Sequence, residues 1–312
     1  MALPVHLYEQ IARNRRYSWL LIFLMTSLLV VVGYFIGSVW WNPLFGAVVA
    51  LFISMILASL SYFSGDKIVL ELMGSQIADQ IAYRTLHDVV EEMAIAAGLP
   101  KPNVYVIESK AANAFATGRD PQHASVAVTT GLLEILNREE LQGVIGHEMS
   151  HVRNYDTLYA ILMAVMVGAI VILCDSLWRS LRWGGLRSSS RSKQDGGATA
   201  IIVVIALVLS ILAPIFASII QFAMSRKREY LADSGSAELT RNPLALANAL
   251  GKISGDPDPL DIANRGTQHL FIVNPLSTYS GTTEWVVGLF STHPPIEDRI
   301  KILRELAHSQ AR

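Results

Sequence analysis

Two stretches of about twenty residues, Ser18 to Gly37 and Leu44 to Phe63, contain no charged side chain. At about 1.5 Å of rise per residue, each matches the thickness of a bilayer's hydrocarbon core, and both read as spanning helices. Only Ser38 to Pro43 separates them, with Trp40 and Trp41 where an aromatic belt would sit at the far membrane surface. The pair is therefore a tight hairpin. Arg13, Arg15 and Arg16 precede the first run, and a basic flank of that kind is retained in the cytoplasm, which places the N-terminus inside. A cleaved signal would have a shorter apolar core and a small-x-small site after it, so the segment reads as an uncleaved anchor. Composition agrees, since 52% of the 312 residues are hydrophobic and 16% charged, a skew expected of a chain that lives partly in lipid.

Two later runs are also apolar: Thr157 to Cys174, and Thr199 to Phe222 with Pro214 as a kink. Between them, Trp178 to Gly197 carries Arg179, Arg182, Arg187, Arg191 and Lys193. If both runs cross, this basic loop lies outside, against the positive-inside tendency; a hairpin that dips without crossing avoids the conflict. An even number of crossings puts both polar regions on the side of the N-terminus. The expected organisation is a basic segment and membrane hairpin (1–63), a first polar half (64–156), a second hairpin with its basic loop (157–224), and a second polar half (225–312). In the first polar half, Leu86, Val89, Val90 and Met93 have helical spacing and the helix stops at Gly98 and Pro100. Asn103 to Glu108 and Ala124 to Thr129 read as strands of a small sheet. The net charge of −1 argues against nucleic acid as a partner, and the single Cys174 excludes an internal disulfide.

At Asn137 to Glu140 the sequence NREE is a capping signature that starts a helix. Leu141, Val144, Ile145 and Val152 form its apolar stripe, and Glu148 falls inside that stripe, so an acid faces the core. A buried carboxylate without a partner is costly, which gives this one a purpose beyond solvation. His147 and His151 are one turn apart and can bind a single ion, with Glu148 displaced by about 100° and close enough to take a proton from an attacking water. This is the H-E-x-x-H arrangement of zinc peptidases; the plainer alternative is an amphipathic helix that happens to carry two histidines. A catalytic zinc needs a third protein ligand. Candidates are His6, His87, His123, His269, His293, His308 and the acids. Beyond the last apolar run, Glu229 and Asp233 sit one turn apart in EYLAD, where the first acid could bind the ion and the second could hold a ligand histidine. A solvated helix face is the plainer reading of EYLAD.

H-E-x-x-H at His147 to His151, then E-Y-L-A-D at Glu229 to Asp233 after a membrane hairpin, resembles the HtpX-type membrane zinc metalloproteases, relatives of the CAAX prenyl proteases. The likeness extends to the N-terminal hairpin, to NAFATG at Asn113 to Gly118 and to HPP at His293 to Pro295. It implies an α+β fold: a mainly α-helical membrane protein with about four transmembrane or hairpin helices and a cytoplasmic gluzincin-like domain carrying a small sheet. It implies one Zn2+ held by His147, His151 and Glu229, with Glu148 as general base and Asp233 behind a ligand histidine. His293 is the candidate for stabilising the oxyanion, or a helix-start histidine beside two prolines. Asn113 and Ala114 are the candidates for holding an extended substrate along a sheet edge, or an ordinary strand start. The implied role is quality control under stress: cleavage of misfolded or damaged membrane proteins at the bacterial inner membrane, with the catalytic domain in the cytoplasm. A prenyl-protein protease would need more spans. A scaffold or sensor with structural zinc would have no use for Glu148, and a metal transporter would carry ionisable groups within its spans.

Overall fold

The computed structural model describes residues 5–40, 42–162, 226–256, 258, 270–273 and 294–310. Helices α1 (Val5–Trp40) and α2 (Pro43–Leu72) form the N-terminal hairpin, and Arg16–Phe35 and Pro43–Leu72 are long and apolar enough to cross a membrane. Asn42 makes the turn. Its side chain accepts from the backbone N–H of Leu44 at 2.9 Å and of Phe45 at 3.3 Å, and Pro43 opens α2 where no N–H is needed. The helices meet on small residues: a Cβ on Gly46 would lie 2.2 Å from the Gly33 carbonyl oxygen and 2.7 Å from Gly37 Cα. Phe45, Phe52, Ile56 and Phe63 face outward and are exposed.

Helix α2 does not stop at Phe63, where the uncharged run ends. It continues through Asp66, Lys67 and Glu71, and buries Val69 and Leu70 in the polar region. That extension packs on one face of a four-stranded sheet of order β1-β2-β4-β3: β1 (Gln76–Ile77), β2 (Asn103–Ile107), β3 (Ala114–Gly118) and β4 (Ala124–Thr129). β2 and β4 run parallel, while β1 and β3 are antiparallel to their neighbours. The period of two along a strand assigns the faces. Val104, Val106, Ala114, Ala116, Val126 and Val128 pack into the larger core, while Ile107, Phe115 and Ala127 pack with Val69, Leu70 and Phe271. With both faces covered, even the edge strand β3 is buried along its whole length.

The larger core is closed by helices. α3 (Arg84–Ala97) contributes Leu86, Val89, Val90 and Met93 and ends at Gly98 in the left-handed conformation, φ 68°. α4 (Thr130–Ile135) leads into α5 (Arg138–Arg153), which begins with the capping box that NREE predicts: Asn137 accepts from Glu140 N–H, and the Glu140 carboxylate accepts from Asn137 N–H, both at 2.9 Å. A further helix, α6 (156–162), starts the third apolar run, and a Cβ on Gly65 of α2 would meet Ile161 Cγ2 at 2.2 Å. α7 (226–240), α8 (Pro243–Ser254) and α9 (Ile296–Gln310) complete the described chain. Of the roughly four membrane helices expected from hydropathy, two lie among the described residues. The rest of the second hairpin and its basic loop fall outside them.

Candidate metal centre

α7 reaches α5 because both helices present small residues where they cross. Ser236 donates its hydroxyl to the Gly143 carbonyl at 2.6 Å, and Gly235 lies against Ser150. Arg153 at the end of α5 holds Glu238 at 3.3 Å. This seam carries Glu229 and Asp233 to the two histidines. The Nε2 atoms of His147 and His151 are 3.2 Å apart, and each is 3.6 Å from a Glu229 carboxylate oxygen. A tetrahedral ion with bonds of about 2.0–2.1 Å has ligand atoms about 3.3 Å apart, so the three groups frame a site of the size zinc takes. His147, His151 and Glu229 form a cluster able to hold a metal ion.

The other ring nitrogens are held by acids. His147 Nδ1 lies 3.0 Å from Asp233, and His151 Nδ1 lies 3.1 Å from Asp156, which leaves both Nε2 atoms facing the cage. Each acid is in turn paired with an arginine. Arg299, fully buried on α9, donates Nε and Nη2 to the two oxygens of Asp233 at 2.9 and 2.6 Å and Nη1 to the Ile272 carbonyl at 3.0 Å, and its Nη1 stands 3.4 Å from Glu229. Arg228 places Nε 3.6 Å from Asp156 and its guanidinium 3.7 Å from the Tyr159 ring centroid.

Glu148 is buried beside the cage. Burial, with the nearby Glu229 charge, pushes its carboxyl up to about 7, although His151 and a backbone hydrogen bond from Ala116 of β3 work the other way. Burial lowers His147. Burial also works to lower His151, but the Asp156 hydrogen bond and the charges of Glu229, Asp156 and Glu148 outweigh it and raise the imidazole to about 9. Burial would raise Asp233, yet the Arg299 charge and the His147 contact hold it below the ordinary range. The cluster opens on a cleft walled by Ala116, Tyr159, Arg228, Phe271 and Ile272.

The structure thus brings together His147, Glu148, His151, Glu229 and Asp233. It places the other candidates elsewhere: His87 Nε2 is 3.0 Å from the Ala78 carbonyl, and His123 Nδ1 is 2.7 Å from Asp120. His269 and His293 lie outside the described residues. Asn113 and Ala114 sit at the start of edge strand β3, with their polar groups turned to the segment 270–273. Asn113 Nδ2 donates to the Val273 carbonyl at 2.9 Å, and Ile272 N–H donates to the Ala114 carbonyl at 3.0 Å. Ala116, further along the strand, is the residue of β3 that lines the cleft.

The model of peptidase family M48 matches residues 80–307. Among curated proteins, the chain is 48% identical over 302 residues to a protease HtpX homolog of Thermoanaerobacter pseudethanolicus, covering 96% of this chain and 98% of that one. It is 45% identical to the Dictyoglomus thermophilum homolog (96% and 95% covered) and 40% identical to that of Streptococcus thermophilus (96% and 100%). Among solved structures it resembles Ste24p of S. mikatae with a TM-score of 0.50 at 19% identity, covering 96% of this chain and 67% of that one. At that identity the likeness concerns the fold alone.

Proposed function

The chain belongs to peptidase family M48, and from that premise we propose that it is a membrane-anchored, zinc-dependent endopeptidase that cleaves misfolded or damaged membrane proteins. The observation that carries this reading is the cage itself: two imidazole nitrogens 3.2 Å apart, a carboxylate 3.6 Å from each, and a buried acid beside them. His147, His151 and Glu229 hold one Zn2+. Bound there, zinc supplies a Lewis acid that acidifies water and polarises a peptide carbonyl. Glu148 takes the proton of the attacking water and returns it to the leaving amine, a role that suits a buried carboxyl beside the cage. Asp233 and Asp156 fix the ring orientations, so that neither Nε2 has to be reorganised as the ion is gripped.

The membrane reading rests on α1 and α2 and on relatives that match over nearly their whole length. We place the protein in a bacterial inner membrane, multi-pass, with the catalytic domain in the cytoplasm, because Arg13, Arg15 and Arg16 flank the first span. The polar halves 64–156 and 225–312 are assigned to one protease domain, joined through the hairpin 157–224. His293 is retained as the oxyanion donor of this proposal, since HPP immediately precedes α9, the helix that brings Arg299 to the site.

Glu148→Gln tests the reading. The variant is expected to keep stoichiometric zinc and lose cleavage of a model membrane substrate by at least about 100-fold, the low end of what a positioned general base contributes. Undiminished proteolysis would remove Glu148 from the chemistry and the peptidase mechanism with it.

A further inference from the structure

The cleft contains two buried polar groups that the proton chemistry does not use. Arg228 and Tyr159 belong to the wall of the cleft beside the metal cage, and Arg228 Nη2 and the Tyr159 hydroxyl, buried in that wall, find no hydrogen-bond partner among the described residues. Arg228 is 9% exposed and Tyr159 6%, so water does not readily substitute for a missing partner. A buried donor without an acceptor is destabilising in the free protein, and a ligand that supplies the acceptor recovers that loss. Both groups are also held still. The Tyr159 ring stacks under the guanidinium at 3.7 Å, and Asp156 stands 3.6 Å from Arg228 Nε, which leaves Nη2 as the end without a partner.

Position decides what these donors can contact. Among the described residues Arg228 pairs with Asp156, which is on the Nδ1 side of His151, away from Nε2 and the cage. The reacting carbonyl lies on the Nε2 side, so Arg228 addresses a part of the substrate displaced from the scissile bond. Charge decides the chemical class. Asp156 already neutralises Arg228, and Glu148 and Glu229 add negative charge to the same cleft. A substrate carboxylate would meet those acids, whereas a neutral peptide oxygen meets only donors.

We propose that Arg228 and Tyr159 form a substrate-binding subsite that donates hydrogen bonds to a main-chain carbonyl of the bound peptide, flanking the scissile bond on the His151 side. The subsite rests on the peptidase reading above and gives it a consequence: binding independent of side-chain identity, as cleavage of damaged proteins of many sequences requires. Arg228 contributes to affinity for the extended chain, not to the bond-breaking step.

The test uses the full-length enzyme in detergent with a quenched fluorescent peptide that the wild type cleaves and Glu148→Gln does not, which establishes the peptidase reading by itself. Tyr159→Phe keeps the ring under the guanidinium and removes only the hydroxyl; Arg228→Lys keeps a charge beside Asp156 and removes the planar donor. Both are expected to retain equimolar zinc and kcat within about twofold, while KM rises about threefold to tenfold, the effect of one lost hydrogen bond. Replacing the peptide carbonyls one at a time by thiocarbonyls, weaker acceptors, should raise the wild-type KM at one position near the cut and leave Arg228→Lys unaffected there. Unchanged KM in both variants would overturn the subsite, as would thiocarbonyl sensitivity identical to wild type at every position. Loss of zinc without a change in KM would reduce Arg228 to a residue that positions His151. A preference of more than tenfold for peptides with a free C-terminal carboxylate over their amides would replace the neutral carbonyl as the ligand. Should Arg228→Lys fail to fold, Tyr159→Phe and the thiocarbonyl series decide the matter.

Discussion

Gly235 is where the two halves of the metal centre can be pried apart. A Cβ at that position would lie 2.1 Å from Ser150 Oγ and 2.8 Å from Ser150 Cβ. Ser150 is fully buried between His147 and His151, and Gly235 follows Asp233 on α7, so Gly235→Ala acts on the seam that holds Glu229 against the histidines. The serine hydroxyl can rotate aside, but its Cβ cannot, and that contact is about 0.7 Å short of the ~3.5 Å at which carbon atoms ordinarily meet. α7 must therefore move by several tenths of an ångström, whereas metal–ligand distances tolerate only about 0.2 Å. Overpacking of this kind costs about 1–3 kcal/mol, and alanine in place of a helical glycine restores about 1 kcal/mol, so the fold should survive. Zinc affinity should not: we expect it to fall about 10–100-fold, the scale of a displaced ligand support. The assay is chelator competition on purified protein, with thermal melting as the check on folding. Ser150→Gly in the same chain removes both clashing atoms and should restore binding. Wild-type affinity in Gly235→Ala, or failure of the second change to restore it, would refute the argument that this seam sets the cage.

Metal binding should release protons. In the metal-free protein His151, raised to about 9, is charged at pH 7, and Glu148, at about 7, is half protonated, so loading zinc at pH 7 expels about one to one and a half protons and apparent affinity climbs about 10–30-fold per pH unit there, levelling off near pH 9. Calorimetry in buffers of different ionisation enthalpy reads the count, and buffer-independent heats would contradict it. Asp156→Ala removes the acceptor that orients the His151 ring; zinc affinity should drop about 10–100-fold by chelator competition, and wild-type affinity would contradict that role. In the membrane hairpin, Gly46→Val would drive a side chain into the Gly33 carbonyl and the Gly37 backbone, and the α1–α2 pair should open, read as faster labelling by lipid-phase probes of a cysteine placed at the buried Val32 than in the same protein with Gly46 intact.

Periodicity revealed the parts of this protein whose burial is local. The capping box at Asn137, the buried Glu148 in an apolar stripe and the helix ending at Gly98 each follow from a single helix and its neighbours in sequence. The same reasoning, applied to α9, could have found Arg299: it falls at the three-and-four spacing of Ile296, Ile300 and Leu303, a charge inside an apolar stripe just as Glu148 is. Its partner Asp233 is 66 residues away, so nothing nearby explains the arginine, and that mismatch is the signal. Asp156 left a weaker trace. It stands beyond the end of α5 at the foot of an apolar run, where an acid reads as the last polar residue before lipid. Asn113 and Ala114 show the opposite limit: their edge strand is suggested by the family likeness alone, and the segment 270–273 that occupies their polar groups could not be foreseen from spacing.

The continuity of α2 across Phe63 ties the catalytic cleft to the end of the uncharged run. Hydropathy ends the span at Phe63, and the helix carries on as a wall of the protease core, with Gly65 against Ile161 and Val69 in the cluster around Phe115 and Phe271. A second tie lies at the same level, where Arg119, just past the end of β3, stands 5.8 Å over the Phe63 ring. Edge strand β3 therefore runs from the cleft toward the membrane surface, and Ala116, which lines the cleft, is three extended residues from Arg119, about 10 Å at the rise of a strand. Because α2 is one helix whose end packs in the cluster that buries Phe115, the spacing between the uncharged run and the cleft is set by that core. On the membrane-protease reading, a polypeptide leaving the lipid beside α2 would meet the metal cage within a few residues, and the anchor would then be part of the active site's geometry.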